Sequence, residues 1–148
     1  MPRLRSILSL LLVAVTIFCV SCSSPQAQIP TTYSPEKVEQ LQVLIEPIQE
    51  ARENMSVLKE LISEQNWIDI GTYIHGPLGG LRREMSNLTR DLLPKDQKQA
   101  KQLSQELFSH FERLDTAAKA HNNTDAQRQY RDAVDHFDAF LDLLPKAS

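Results

Sequence analysis

Cysteine is nearly absent from this chain. Only Cys19 and Cys22 occur in 148 residues, both near the N-terminus. A small disulfide-stapled scaffold is therefore excluded, and the fold must stand on an apolar core. Glycine is also scarce, with four residues in all, and aromatic residues make up 6% of the chain. No stretch alternates apolar and polar residues as a half-buried strand would. There is no C-x-x-C-H for covalent haem, no H-E-x-x-H, no glycine-rich phosphate loop and no nucleophile elbow. Carboxylate-bridged di-iron bundles use Glu-x-x-His, and the residues three before His75, His110, His121 and His136 are Thr72, Leu107, Ala118 and Ala133. These absences leave no support for an enzyme. The acidic net charge of −3 also argues against nucleic-acid binding and against a polybasic membrane anchor, and no cofactor is expected.

The N-terminus reads as an export signal. Arg3 and Arg5 precede an apolar run from Ile7 to Val20, which ends in Ser21-Cys22-Ser23-Ser24. The run is short for a membrane span. Cys19-Val20-Ser21 before Cys22 is similar to a bacterial lipobox, with Cys19 standing where Leu is usual. The expectation is a lipoprotein signal peptide over 1–21, with Cys22 acylated as the new N-terminus; ordinary cleavage would leave Cys22 a free thiol. Losing two arginines and no acid takes the net charge from −3 to −5. Residues 22–34 follow as a flexible tether, polar and with Pro25 and Pro30, reaching up to roughly 40 Å when extended.

Residues 35–148 carry helical periodicity. Ser34-Pro35-Glu36 is a helix start, with Ser as cap and Pro in the first turn. Val38, Leu41, Ile45, Ile48, Met55 and Ile62 form one stripe, which Pro47 is expected to bend without ending. Trp67, Ile70, Ile74, Leu78, Leu81, Met85, Leu88 and Leu92 form a second, expected to run as one kinked helix to Leu93-Pro94. Asp96 is a candidate cap for a third stripe through Ala100, Leu103, Leu107, Phe111, Leu114 and Ala118. Thr124 and Gln127 match a capping box for a fourth through Ala126, Tyr130, Ala133, Phe137, Phe140 and Leu144. The fold class is all-α, an up-down-up-down four-helix bundle. Phe108, Phe111, Phe137 and Phe140 lie on the last two helices, which are expected to pack together.

All four glycines (Gly71, Gly76, Gly79, Gly80) and Pro77 sit in the second stripe. Gly and Pro inside a helix cost roughly 1 and 3 kcal/mol relative to Ala, so the cluster needs a reason. It either lets a neighbour approach closely or exposes backbone for docking. Pro77 deprives the Tyr73 carbonyl of its helical donor, and His75 is placed either to bond such a carbonyl or to touch a partner. Trp67 is a core anchor or part of a ligand site. Arg82, Arg83, Arg90, Lys95, Lys98 and Lys101 cluster on an otherwise acidic chain, as a docking face for an acidic surface or as a solvated face. Glu106/His110 and Asp132/His136 are acid–His pairs at i,i+4. Either is a helix-surface pair or, with a third group, a Zn²⁺ or Cu²⁺ site.

The string W-I-D-I-G-T-Y-I-H-G-P-L-G-G-L-R-R-E-M (Trp67 to Met85) resembles the central motif of cyanobacterial PsbQ proteins. D-L-L-P-K-D-Q (Asp91 to Gln97) and Y-R-D-A-V-D-H-F-D-A-F-L (Tyr130 to Leu141) are similar to the same family. The resemblance spans Ser34 to Leu144. It implies a non-catalytic, extrinsic four-helix-bundle subunit of photosystem II on the lumenal side of the thylakoid membrane. It further implies contacts with the photosystem II core, through PsbB and near PsbO. The implied function is stabilisation of the oxygen-evolving complex, supporting water oxidation when calcium or chloride is limiting, with no cofactor of its own. His75, Gly76, Pro77, Arg82 and Arg83 are the candidate docking residues. The alternative is a metal-binding helical-bundle lipoprotein, with Glu106, His110, Asp132 and His136 as candidate ligands.

Overall fold

The computed structural model describes residues 30–146. The expected leader, Cys22 and most of the tether lie outside the described residues. The described residues form six helices and no strand: α1 (Pro35–Glu53), α2 (Met55–Ser63), α3 (Trp67–His75), α4 (Leu81–Asp91), α5 (Pro94–Lys119) and α6 (Asn123–Leu143). None of them is long and apolar enough to cross a membrane.

The six helices build four rods. α1 and α2 make the first and α3 and α4 the second. α2 packs on α3 and α1 on α4, so the two rods run antiparallel. α5 and α6 are the third and fourth, joined by a short turn at His121-Asn122. The expected up-down-up-down bundle is the observed architecture, assembled from more pieces than the periodicity suggested.

Two expectations about continuity are corrected. Pro47 lies inside α1, and the first rod is interrupted not there but at Asn54. Tyrosine hydroxyls from two other rods secure that interruption: Tyr73 donates to the Asn54 carbonyl (2.9 Å) and Tyr130 to the Met55 carbonyl (3.2 Å). The second rod is two helices, not one kinked helix. Residues 76–80 form a turn between α3 and α4. Leu78 N–H reaches back five residues to the Tyr73 carbonyl (3.2 Å), replacing the donor that Pro77 lacks. Gly79 then bonds to the Gly76 carbonyl and Leu81 to the Leu78 carbonyl, each three residues back. The apolar phase survives this unwinding, so Ile70, Ile74, Leu78, Leu81, Met85 and Leu88 still face one core.

The helix starts follow capping chemistry in part. Ser34 Oγ accepts from Lys37 N–H, as expected. The fourth rod is capped by Asn122, whose Oδ1 accepts from Asp125 N–H (3.1 Å), rather than by Thr124. α5 opens at Pro94 without a side-chain cap, and Asp96 falls in its first turn. There the Asp96 carboxylate accepts from the Tyr33 hydroxyl (2.7 Å), which itself accepts from Leu93 N–H (3.1 Å). Tyr33 also packs against the core. The bundle thus holds the chain two residues before α1 begins. Burial and then the adjacent carboxylate push the Tyr33 phenol up to about 12.

The core runs the length of the bundle. Leu41, Ile48, Met55, Leu58, Met85, Leu88, Leu107, Leu114, Phe137 and Phe140 are fully buried. Phe108 and Phe111 meet edge to face at 5.9 Å. Three polar side chains are buried with them: His110, Asp115 and Gln129.

Candidate functional site

The α3–α4 turn projects over the middle of α5. Its glycines give room rather than left-handed backbone, since none has positive φ. A Cβ on Gly76 would lie 2.8 Å from the Thr72 carbonyl oxygen, and one on Gly79 2.5 Å from that of His75. The close approach is thus made by carbonyls at the end of α3. Gly71 is the exception: its Cβ would meet Asp115 Oδ1 of α5 at 3.3 Å, so its lack of a side chain brings α3 onto that carboxylate.

His75 does not bond a freed carbonyl. Its Nε2 lies 3.4 Å from Asp115 Oδ2, which also accepts from Lys119 Nζ at 2.6 Å. Burial alone would raise the Asp115 carboxyl; the Lys119 and His75 hydrogen bonds and charges outweigh it and hold the group below its ordinary value. Next along the face, Arg82 pairs with Glu112 (2.9 Å), and its guanidinium lies 4.3 Å above the Phe108 ring. These groups line a groove of about 340 Å³ between the turn and α5, floored by Ile74, Leu78, Phe108 and Phe111. A second groove of about 330 Å³ continues between α4 and α5 past Arg82, Arg90 and Lys101. Arg83, Lys95 and Lys98 are exposed. Of the candidate docking residues, His75, Gly76, Pro77, Arg82 and Arg83 all lie on the solvent side of this turn and of the first turn of α4.

Trp67 is half-buried against the core, and its ring stacks on His121 at 5.5 Å, tying α3 to the α5–α6 turn. It is a structural anchor. Asp115 was not legible as part of the site, because Gly71 and His75, which join it to the turn, lie on another rod.

The acid–His pairs are not two independent surface pairs. Glu106, His110 and His136 each bring a ligating atom within 4.8 Å of the others, joining α5 to α6. Asp132 stands apart from that trio. Its carboxylate lies 3.9 Å from His110 Nδ1, and its main-chain carbonyl accepts from His136 Nδ1 (2.7 Å). His110 is buried rather than solvated.

The described residues define the class of all-helical antiparallel bundles. The chain belongs to the PsbQ family: the family model described as oxygen evolving enhancer protein 3 matches residues 3–145. It is also similar to CyanoQ of Synechocystis sp., with 60% identity over 149 aligned residues that cover all of both chains. The chain is thus an oxygen-evolving enhancer protein by family.

Proposed function

We propose that this protein is an extrinsic, lumenal subunit of photosystem II that docks on the core complex and stabilises the oxygen-evolving complex. The full-length similarity to a PsbQ-family protein carries this reading. PsbB and PsbO are the proposed neighbours on the core. The role is one of binding, not of chemical turnover: a subunit that binds the assembled state preferentially stabilises it by mass action. Covering the site in this way slows loss of calcium and chloride, so water oxidation persists when either is scarce. Cys22, acylated after removal of residues 1–21, holds the protein at the thylakoid membrane and raises its local concentration.

The docking surface is the α3–α4 turn with the first turn of α4. Support comes from the exposed cations Arg82 and Arg83 on an acidic chain and from the apolar-floored groove beside them. Such a face suits an acidic partner surface that places an apolar side chain in the groove. The test is co-purification of photosystem II with a tagged copy from thylakoids of the host, comparing the parent with an Arg82→Glu/Arg83→Glu variant. The parent should bring down oxygen-evolving cores and the variant should lose most of them. Equal recovery would overturn the docking face, and recovery of no photosystem subunits with the parent would overturn the function.

A further inference from the structure

We propose that the corner where α4 meets α5, with Arg90, Lys95, Lys98 and Lys101, is a contact surface for the anionic headgroups of a lipid membrane. The choice of a membrane as occupant rests on the reading of Cys22 as acylated. The docking face on the α3–α4 turn is a separate surface, at the other end of α4.

The first observation is segregated charge. α1 packs on α4, α4 on α5, α5 on α6 and α6 back on α1, so the α1–α6 side lies opposite the α4–α5 side. α1 and α6 each carry five acids against two bases. Residues 90–101 carry four bases against two acids, Asp91 and Asp96, and both acids are engaged. Asp91 pairs with Lys37 (3.6 Å), and Asp96 accepts from the Tyr33 hydroxyl. Arg90, Lys95, Lys98 and Lys101 are all exposed. Among the described residues they join no ion pair, whereas Lys37, Arg52, Arg82, Lys119 and Arg128 all do. Lys95, Lys98 and Lys101 follow at steps of three and are neighbours on the surface of α5. Arg90 and Lys101 both line the groove of about 330 Å³ between α4 and α5, with the hydroxyls of Ser86 and Ser104 and the amide of Gln105. No carboxylate among the described residues lines that groove. A phosphodiester oxyanion meets both positive charge and hydrogen-bond donors there.

The second observation is where the chain enters. Tyr33 is fastened to Leu93 N–H and to Asp96, within the same corner. Cys22 is eleven residues before Tyr33, a span of at most roughly 40 Å. An acyl group on Cys22 therefore brings this corner to the bilayer more readily than any other part of the bundle.

Net charge does not decide the matter. Charges are screened beyond about 10 Å at about 0.1 M salt, so a surface beneath the corner meets four cations and not the acids of the opposite side. Each cation near an anionic surface strengthens binding about fivefold. The contact orients the bundle. With the corner on the membrane, the α3–α4 turn stands about 16 Å away along α4 and is free for a protein partner.

The test is flotation of residues 30–148, which hold the described bundle and the Tyr33 fastening without leader or acyl group. The probes are vesicles of phosphatidylcholine alone or with about 30% phosphatidylglycerol. Binding is expected to the anionic vesicles at low salt, with none to the neutral ones and release at about 0.5 M salt. Lys95→Gln/Lys98→Gln/Lys101→Gln should weaken it about a hundredfold. These lysines are exposed, so the variant keeps the fold. Lys59→Gln/Arg131→Gln removes two cations from the groove between α2 and α6 and should leave binding within about threefold. Equal binding to neutral vesicles, no binding to anionic ones, or an unaffected triple variant would overturn the proposal. Loss of photosystem II co-purification in the triple variant, with no vesicle binding by the parent, would give the corner to an acidic protein instead. Acylation of Cys22 is read separately, from the mass of the protein purified from its host, so failure of the anchor and failure of the corner are distinguishable.

Discussion

The α5–α6 hairpin and the α3–turn–α4 segment are built from the same apolar spacing and end differently. The hairpin helices run unbroken for 26 and 21 residues and carry four buried phenylalanines. The other rod is 9 and 11 residues separated by a turn. Periodicity decides which side chains enter the core. Backbone composition decides whether the helix between them survives. Pro47 and Pro77 make the point within one chain. Pro47, among good helix formers, sits inside α1 and the helix continues. Pro77 is joined by Gly76, Gly79 and Gly80, and their helix penalties of roughly 1 kcal/mol each add to that of the proline. The rod unwinds there, and the groove beside α5 opens where it does.

The comparison breaks first if stability does not reside in the hairpin. Phe137→Ala removes a fully buried ring and should cost about 3–5 kcal/mol in urea unfolding; a loss below about 1 kcal/mol would place the main core elsewhere. Next come the turn glycines. Gly79→Ala forces a Cβ to within 2.5 Å of the His75 carbonyl oxygen and should cost about 1–3 kcal/mol by the same measurement. Gly80→Ala meets nothing closer than Glu84 Oε1 at 3.5 Å and already has helical backbone, so it should stabilise by about 0.4–1 kcal/mol. Equal effects at the two positions would show that the turn is looser than its packing implies. Asn122→Ala, which removes the α6 cap, should cost about 1 kcal/mol, whereas Thr124→Ala should cost a few tenths.

The smallest effects are those of pH, with opposite signs at two sites. Asp115 is held below its ordinary value, so its contribution is present above about pH 4 and is lost as pH falls through the folded value. Asp115→Asn should flatten the acid limb of stability against pH. Tyr33 is raised to about 12. Its contribution is present below about pH 10 and is lost as pH rises through the folded value. Tyr33→Phe should lower stability at neutral pH and remove this alkaline loss. Urea midpoints measured across pH would read both.

Much of the core was legible because burial follows spacing. Every apolar residue read on the second stripe, from Ile70 to Leu92, is buried. Element ends were less legible. Thr124 with Gln127 matches a capping box, yet Asn122 holds the cap because the tight turn at His121 places its side chain over the Asp125 N–H. His121 stands at φ 52°, a conformation that no local motif announces. The candidate site residues were found by composition, but their grouping was not. Spacing paired Asp132 with His136, whereas the structure joins His136 to Glu106 and His110 on another rod and leaves Asp132 to orient the rings. The contact of Asp115 with His75 was hidden for the same reason. Contacts between rods depend on rotation and rise, and no window of one helix contains them.

The Tyr33 hydroxyl, bonded to Leu93 N–H and to the Asp96 carboxylate, has a mechanical consequence. A pull on the chain from its N-terminal side is not delivered first to the opening turn of α1, where a helix unpeels one bond at a time. It is delivered sideways, to the corner where α4 meets α5. Tyr33 is moored to a different rod from the one it leads into. Tension is therefore shared between two rods before any helix begins to open, and the first part to yield is a replaceable pair of hydrogen bonds.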